Sequence, residues 1–166
     1  MQNPIVRGFG SLLRFSGRDT RSEFWPYAAA AVALYLVVGW AVLIPIMLPA
    51  FEASSEPQVG TFLKMVGYFL LASVLMFAAL VGILAAAVAR RLHDSGRSAF
   101  WGLLPLPFVA YGGTVFVRLV SQFGTGEPDM RLFLSGFISN ALYLVALAWL
   151  IVLLALRSAP GPNRFG

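Results

Sequence analysis

Ala89 to Trp101 reads A-R-R-L-H-D-S-G-R-S-A-F-W. This short, basic stretch holds the only histidine, His93, and three of the twelve Arg and Lys residues. Long apolar runs flank it on both sides, and they decide the fold. Counted outward from it, four such runs occupy about 27–51, 65–89, 100–123 and 132–156. A hydrocarbon core about 30 Å thick needs about 20 apolar residues in helical form, and each run is long enough. The expectation is an all-α, polytopic membrane protein with four transmembrane helices. A short N-terminal amphipathic helix precedes them, and the basic stretch forms a cytoplasmic hairpin between spans 2 and 3.

Composition agrees. Apolar residues make up 59% of the 166 and charged residues only 11%, against about 45–50% and about 25% in ordinary soluble proteins. A water-soluble chain of this length could not hide that much apolar surface, whereas a bilayer can. The length suits one domain, residues 1–166. The absence of cysteine excludes disulfides, thiolate metal sites and cysteine nucleophiles. The net charge of +5 sits in the segments flanking the spans. That points to the positive-inside rule rather than to nucleic acid.

Ahead of the first span, Asn3-Pro4 reads as an N-cap followed by proline at the first helical position. Ile5, Val6, Phe9, Leu12 and Leu13 follow the rhythm of one helical face, with Arg7 and Arg14 opposite. This predicts an amphipathic helix lying in the interface, weakened at Gly8 and Gly10. Thr20-Arg21-Ser22-Glu23 has the form of a capping box, and Pro26 predicts a kink or fresh start just after it. The first span is too long for the h-region of a signal peptide, and Pro45 and Pro49 should bend or end it.

A polar loop is expected over Glu52–Lys64. In the second span Ala78, Gly82, Ala86 and Ala89 form a small-residue ridge that permits close approach of another helix, within the chain or in a second copy. The third span contains Pro105, Pro107, Gly112 and Gly113, so it should be irregular near its cytoplasmic end, with freed carbonyls facing protein or water. Arg118 falls about 27 Å along that span and can snorkel to the outer interface. The fourth span carries Ser135, Ser139 and Asn140 in its outer half. A tail runs from Arg157 to Gly166.

Topology follows from the arginines. Arg7, Arg14, Arg18, Arg21, Arg90, Arg91, Arg97, Arg157 and Arg164 fall on one side, and Lys64, Arg118 and Arg131 on the other. Nine against three predicts both termini in the cytoplasm. Trp25 and Trp101 then share one interface, as aromatic belts do.

Three segments carry a resemblance. They are G-R-D-T-R-S-E-F-W from Gly17 to Trp25, R-R-L-H-D-S-G-R-S-A-F-W from Arg90 to Trp101, and the terminal G-P-N-R-F-G with Asn163 and Arg164. Taken in order, they make the chain resemble the bacterial inner-membrane proteins grouped as domain of unknown function 805. The match runs over essentially the whole chain. The resemblance implies an inner-membrane location and a four-span bundle. It implies no activity, because the family has no established one.

All three segments lie on the expected cytoplasmic side. The candidate cluster is therefore Arg18, Arg21, Glu23, Trp25, Arg90, Arg91, His93, Asp94, Arg97, Trp101, Asn163 and Arg164. Four uses of it are open. As a folding device, the arginines set orientation, Glu23 and Asp94 neutralise some of them, Gly96 follows a helix end and Ser98 caps the third span. As an anion site, Arg21 and Arg97 hold a lipid phosphate or another anion. As a conduit or small transporter, the broken third span, Asn140 and the small-residue ridge line a cavity. Against that, no acidic residue lies inside a span.

As an enzyme, His93, Asp94 and Ser95 suggest a triad, but neighbours on a helix point about 100° apart and cannot converge. One histidine with two carboxylates also falls short of a metal site, and no cofactor is expected. The sequence thus favours a non-enzymatic scaffold or interaction module whose Arg-rich layer binds anionic lipid headgroups or a membrane partner, with homo-oligomerisation open. A small transporter or channel is the alternative.

Overall fold

The computed structural model describes residues 3–52, 59–122 and 129–161. Among these there are five α-helices and no strand: α1 (Pro4–Gly10), α2 (Arg21–Glu52), α3 (Val59–Asp94), α4 (Leu106–Ser121) and α5 (Met130–Ala155). A 3-10 turn, Ala99–Leu103, leads into α4. Four segments are long and apolar enough to cross a membrane: Arg21–Pro49, Gly60–Asp94, Ala99–Ser121 and Met130–Ala155. Large apolar side chains lie exposed along them, with Trp40 at 66% and Phe137 and Val145 at 67%. In water such surfaces drive association; in a bilayer the lipid tails cover them.

Of the kink or fresh start expected at Pro26, the fresh start does not occur. Helix α2 starts one residue after Thr20 and runs unbroken through Pro26, Pro45 and Pro49. Each proline removes one backbone hydrogen bond, a loss that transmembrane helices tolerate. The basic hairpin is shorter than expected, because Ala89 to Asp94 belong to the last turns of α3. Alanine, arginine and leucine are strong helix formers, and the stop comes only at Gly96, where φ is +75°. There the Gly96 N–H donates to the His93 carbonyl at 2.9 Å and the Arg97 N–H to the Leu92 carbonyl at 2.8 Å. That pair of bonds is a Schellman motif closed by a left-handed glycine.

At its other end α3 begins at Val59, so Val59 to Lys64 are helix rather than loop. Helix α1 ends at Gly10, and Leu12 and Leu13 fall in a turn instead of extending the apolar face. Two glycines weaken it, and the Ser11 hydroxyl donates to the Arg7 and Gly8 carbonyls at its end. Asn3 does cap α1, accepting from the Ile5 N–H at 2.9 Å with Pro4 following. Ser98 caps the 3-10 turn.

The chain divides into two compact units. One comprises residues 1–14 and 22–87, the other residues 15–21 and 88–166. In the first, α1 is held by its contact with α2. Gly8 is buried, and a Cβ there would come within 2.1 Å of the Tyr27 ring. The Phe9 and Tyr27 rings meet edge to face at 5.2 Å, a geometry that adds about 0.5–1.5 kcal/mol. The buried Tyr27 hydroxyl donates to the Ile83 carbonyl of α3 at 2.7 Å. Of the small-residue ridge, Ala86 and Ala89 are buried while Ala78 and Gly82 are exposed.

In the second unit, α4 packs on α5. A Cβ at Gly136 would lie 2.9 Å from Val115 Cγ1, so only glycine permits this approach. The buried Ser139 hydroxyl donates to the Phe108 carbonyl at 2.8 Å, next to the break before α4. Gly102 lets the 3-10 turn lie flush on the end of α3, where a Cβ would meet Val88 at 3.0 Å.

Candidate functional site

Polar groups of the second unit collect where α3 and α5 end. The site is built from three stretches: residues 18–21 leading into α2, the end of α3, and the segment after α5. Asp94, 3% exposed, is its hub. Its carboxylate accepts from Arg91, from the Ser158 hydroxyl and from Arg18 Nε, the last at 3.2 Å. Its backbone carbonyl accepts from the Ala159 N–H at 2.8 Å.

Arg91 is completely enclosed, at 0% exposure. Besides Asp94 it donates to the carbonyls of Leu154, at 2.9 Å, and Leu156. Arg21 Nε donates to the same Leu156 carbonyl at 3.1 Å. These carbonyls belong to the end of α5, where the last turn lacks internal partners and the helix dipole is negative. Two arginines therefore cap α5 from outside it. Arg18 continues the line, donating to the carbonyls of Ala159 and Gly161, each at 2.8 Å. A second buried pair lies alongside. Arg90 Nε donates to Asp19 Oδ2 at 2.7 Å, and the Asp19 N–H donates to the Arg90 carbonyl at 3.3 Å.

Buried charges are tolerable only when paired and hydrogen-bonded. Here two buried arginines meet two buried carboxylates, and Arg91 reaches the Leu154 and Leu156 carbonyls as well. The result is a clamp that fastens the segment before α2 and the segment after α5 to the end of α3.

The other expected site residues lie elsewhere or differ in state. Glu23 and Trp25 belong to the first unit, where Glu23 pairs with Arg7 and the Trp25 ring meets Phe24 edge to face. His93 is half-buried in the last turn of α3, with Nδ1 enclosed. Arg97 is partly exposed, and among the described residues its guanidinium makes no hydrogen bond or ion pair. Trp101, 40% exposed, lines a shallow apolar groove with Phe100, Leu103, Leu104, Pro107 and Phe108. Asn163 and Arg164 lie outside the described residues. No group of three or more His, Cys, Asp or Glu that could hold a metal occurs among the described residues.

Three contributors were not singled out from sequence. Asp19 stood inside the quoted G-R-D-T-R, where an acid between two arginines was the available signal. Ser158 gave none. The carbonyls of Leu154, Leu156, Ala159 and Gly161 could not, because backbone acceptors are the same at every position.

Four apolar helices and a polar end layer define a multi-pass α-helical membrane protein. The family model described as "Protein of unknown function (DUF805)" matches residues 12–166, and the chain belongs to that family. Comparison with curated proteins and with solved structures finds no match.

Proposed function

We propose that the protein is a non-enzymatic scaffold or interaction module of the bacterial inner membrane, with both termini in the cytoplasm and a basic cytoplasmic layer that engages anionic lipid headgroups. The orientation rests on the nine-to-three arginine and lysine bias. The observation that carries the reading is the division among the arginines. Arg18, Arg21, Arg90 and Arg91 donate to the chain's own carboxylates and carbonyls. Arg97 does not, and it stands four positions before Trp101, a residue type suited to the headgroup level.

A juxtamembrane arginine contributes about 1 kcal/mol toward anionic lipid, and the apolar groove at Trp101 offers the adjoining chain a surface. The broken third span is the feature a conduit would use, but its groove is lined by apolar side chains alone. The test is native mass spectrometry of the detergent-purified protein with phosphatidylglycerol or phosphatidylcholine. The reading expects a retained phosphatidylglycerol adduct that Arg97→Ala removes. An adduct pattern unchanged in the variant contradicts it.

A further inference from the structure

Asn140 sits in the apolar heart of α5 with its side chain exposed. It is ten positions from Met130, about 15 Å along a helix about 39 Å long. With that helix centred in a hydrocarbon core about 30 Å thick, Asn140 lies about 10 Å inside the core. Among the described residues its amide makes no hydrogen bond. An amide has two donors and a carbonyl acceptor, and lipid tails offer partners for none of them. Leaving such a group unpaired in hydrocarbon costs several kcal/mol.

The neighbouring positions show which side of α5 is affected. Ser139, Ala146, Leu150 and Leu153 are buried, and with Gly136 against Val115 they make the inner face. Phe133, Phe137, Leu144 and Ala148 are exposed, as Asn140 is. They recur at helical spacing and make a continuous outer face with a single amide in its middle.

We infer that this outer face of α5 is the interface of a homodimer in which Asn140 of each copy hydrogen-bonds to Asn140 of the other across a two-fold axis. The amide selects the occupant. A carboxamide is self-complementary, donating through nitrogen and accepting through oxygen. A two-fold interface brings each residue near the axis against its own copy. Asparagine is a residue type that joins transmembrane helices in this way. The inference is independent of Arg97, which lies outside α5.

The chain has no cysteine, so single cysteines report the interface cleanly. In membranes, Phe137→Cys and Leu144→Cys should form disulfide-linked dimers on oxidation, and Ala78→Cys and Gly82→Cys, on the exposed part of the α3 ridge, should not. In detergent, Asn140→Leu should raise the dimer dissociation constant about tenfold, with Asn140→Gln between it and the wild type. Leucine at an exposed, lipid-facing position puts no strain on the monomer, so the variant remains folded. A protein monomeric at every concentration overturns the inference. So does a dissociation constant unmoved by Asn140→Leu, or cross-linking through Ala78 and Gly82 instead.

Discussion

Asp19 Oδ2 accepts a hydrogen bond from Arg90 Nε at 2.7 Å, across 71 positions of sequence, and both residues are buried. The pair ties the segment before α2 to the end of α3. Removing one partner leaves a buried charge uncompensated, which costs about 3–5 kcal/mol, whereas replacing both with apolar groups is often near neutral. Asp19→Ala and Arg90→Ala should each lower the unfolding midpoint in detergent substantially. Asp19→Ala/Arg90→Met should lose less than the two single effects together, with a coupling of about 0.5–3 kcal/mol. Additive losses would mean that the pair is not an energetic unit.

Gly96 holds the left-handed conformation that closes α3 and turns the chain toward the 3-10 turn. A side chain in that conformation costs about 1–2 kcal/mol. Gly96→Ala should lower stability by about that amount and Gly96→Asn by less, since asparagine tolerates the left-handed region. Thermal unfolding of the two variants beside the wild type measures the difference.

Orientation can be read by labelling. Ser16 and Met130 are both exposed and lie on opposite sides in the proposed topology. In intact cells a membrane-impermeant maleimide should modify Met130→Cys and leave Ser16→Cys untouched until the membrane is opened. The reverse pattern would place the termini outside.

The spans were legible because a bilayer sets a minimum apolar length, and the chain meets it four times. The caps at Asn3 and Ser98 and the stop at Gly96 were legible because each is local chemistry. Boundaries were harder. Arg90 and Arg91 looked like loop residues because they are charged, yet arginine propagates a helix well, so α3 continues to Asp94. Pro26 left room for a fresh helix start, but one lost hydrogen bond does not outweigh the rest of α2. The pairings were not legible. One partner of Asp94 lies 76 positions away at Arg18, and the sequence does not show which arginine reaches which acid. Nor does it mark the carbonyls at the end of α5 that Arg91 and Arg21 satisfy.

In the proposed function one motif divides its labour: Asp94 organises an internal clamp, while Arg97 is left to engage lipid. The most direct test measures unfolding midpoint and retained phosphatidylglycerol for Asp94→Asn and Arg97→Ala side by side. Asp94→Asn should lose about 3–5 kcal/mol of stability, because enclosed Arg91 loses its countercharge, while the folded fraction keeps its lipid. Arg97→Ala should stay within about 0.5 kcal/mol of the wild type, because the partly exposed guanidinium makes no hydrogen bond or ion pair among the described residues, and lose the lipid. A stable Asp94→Asn, or an Arg97→Ala that unfolds or keeps its lipid, would contradict the division.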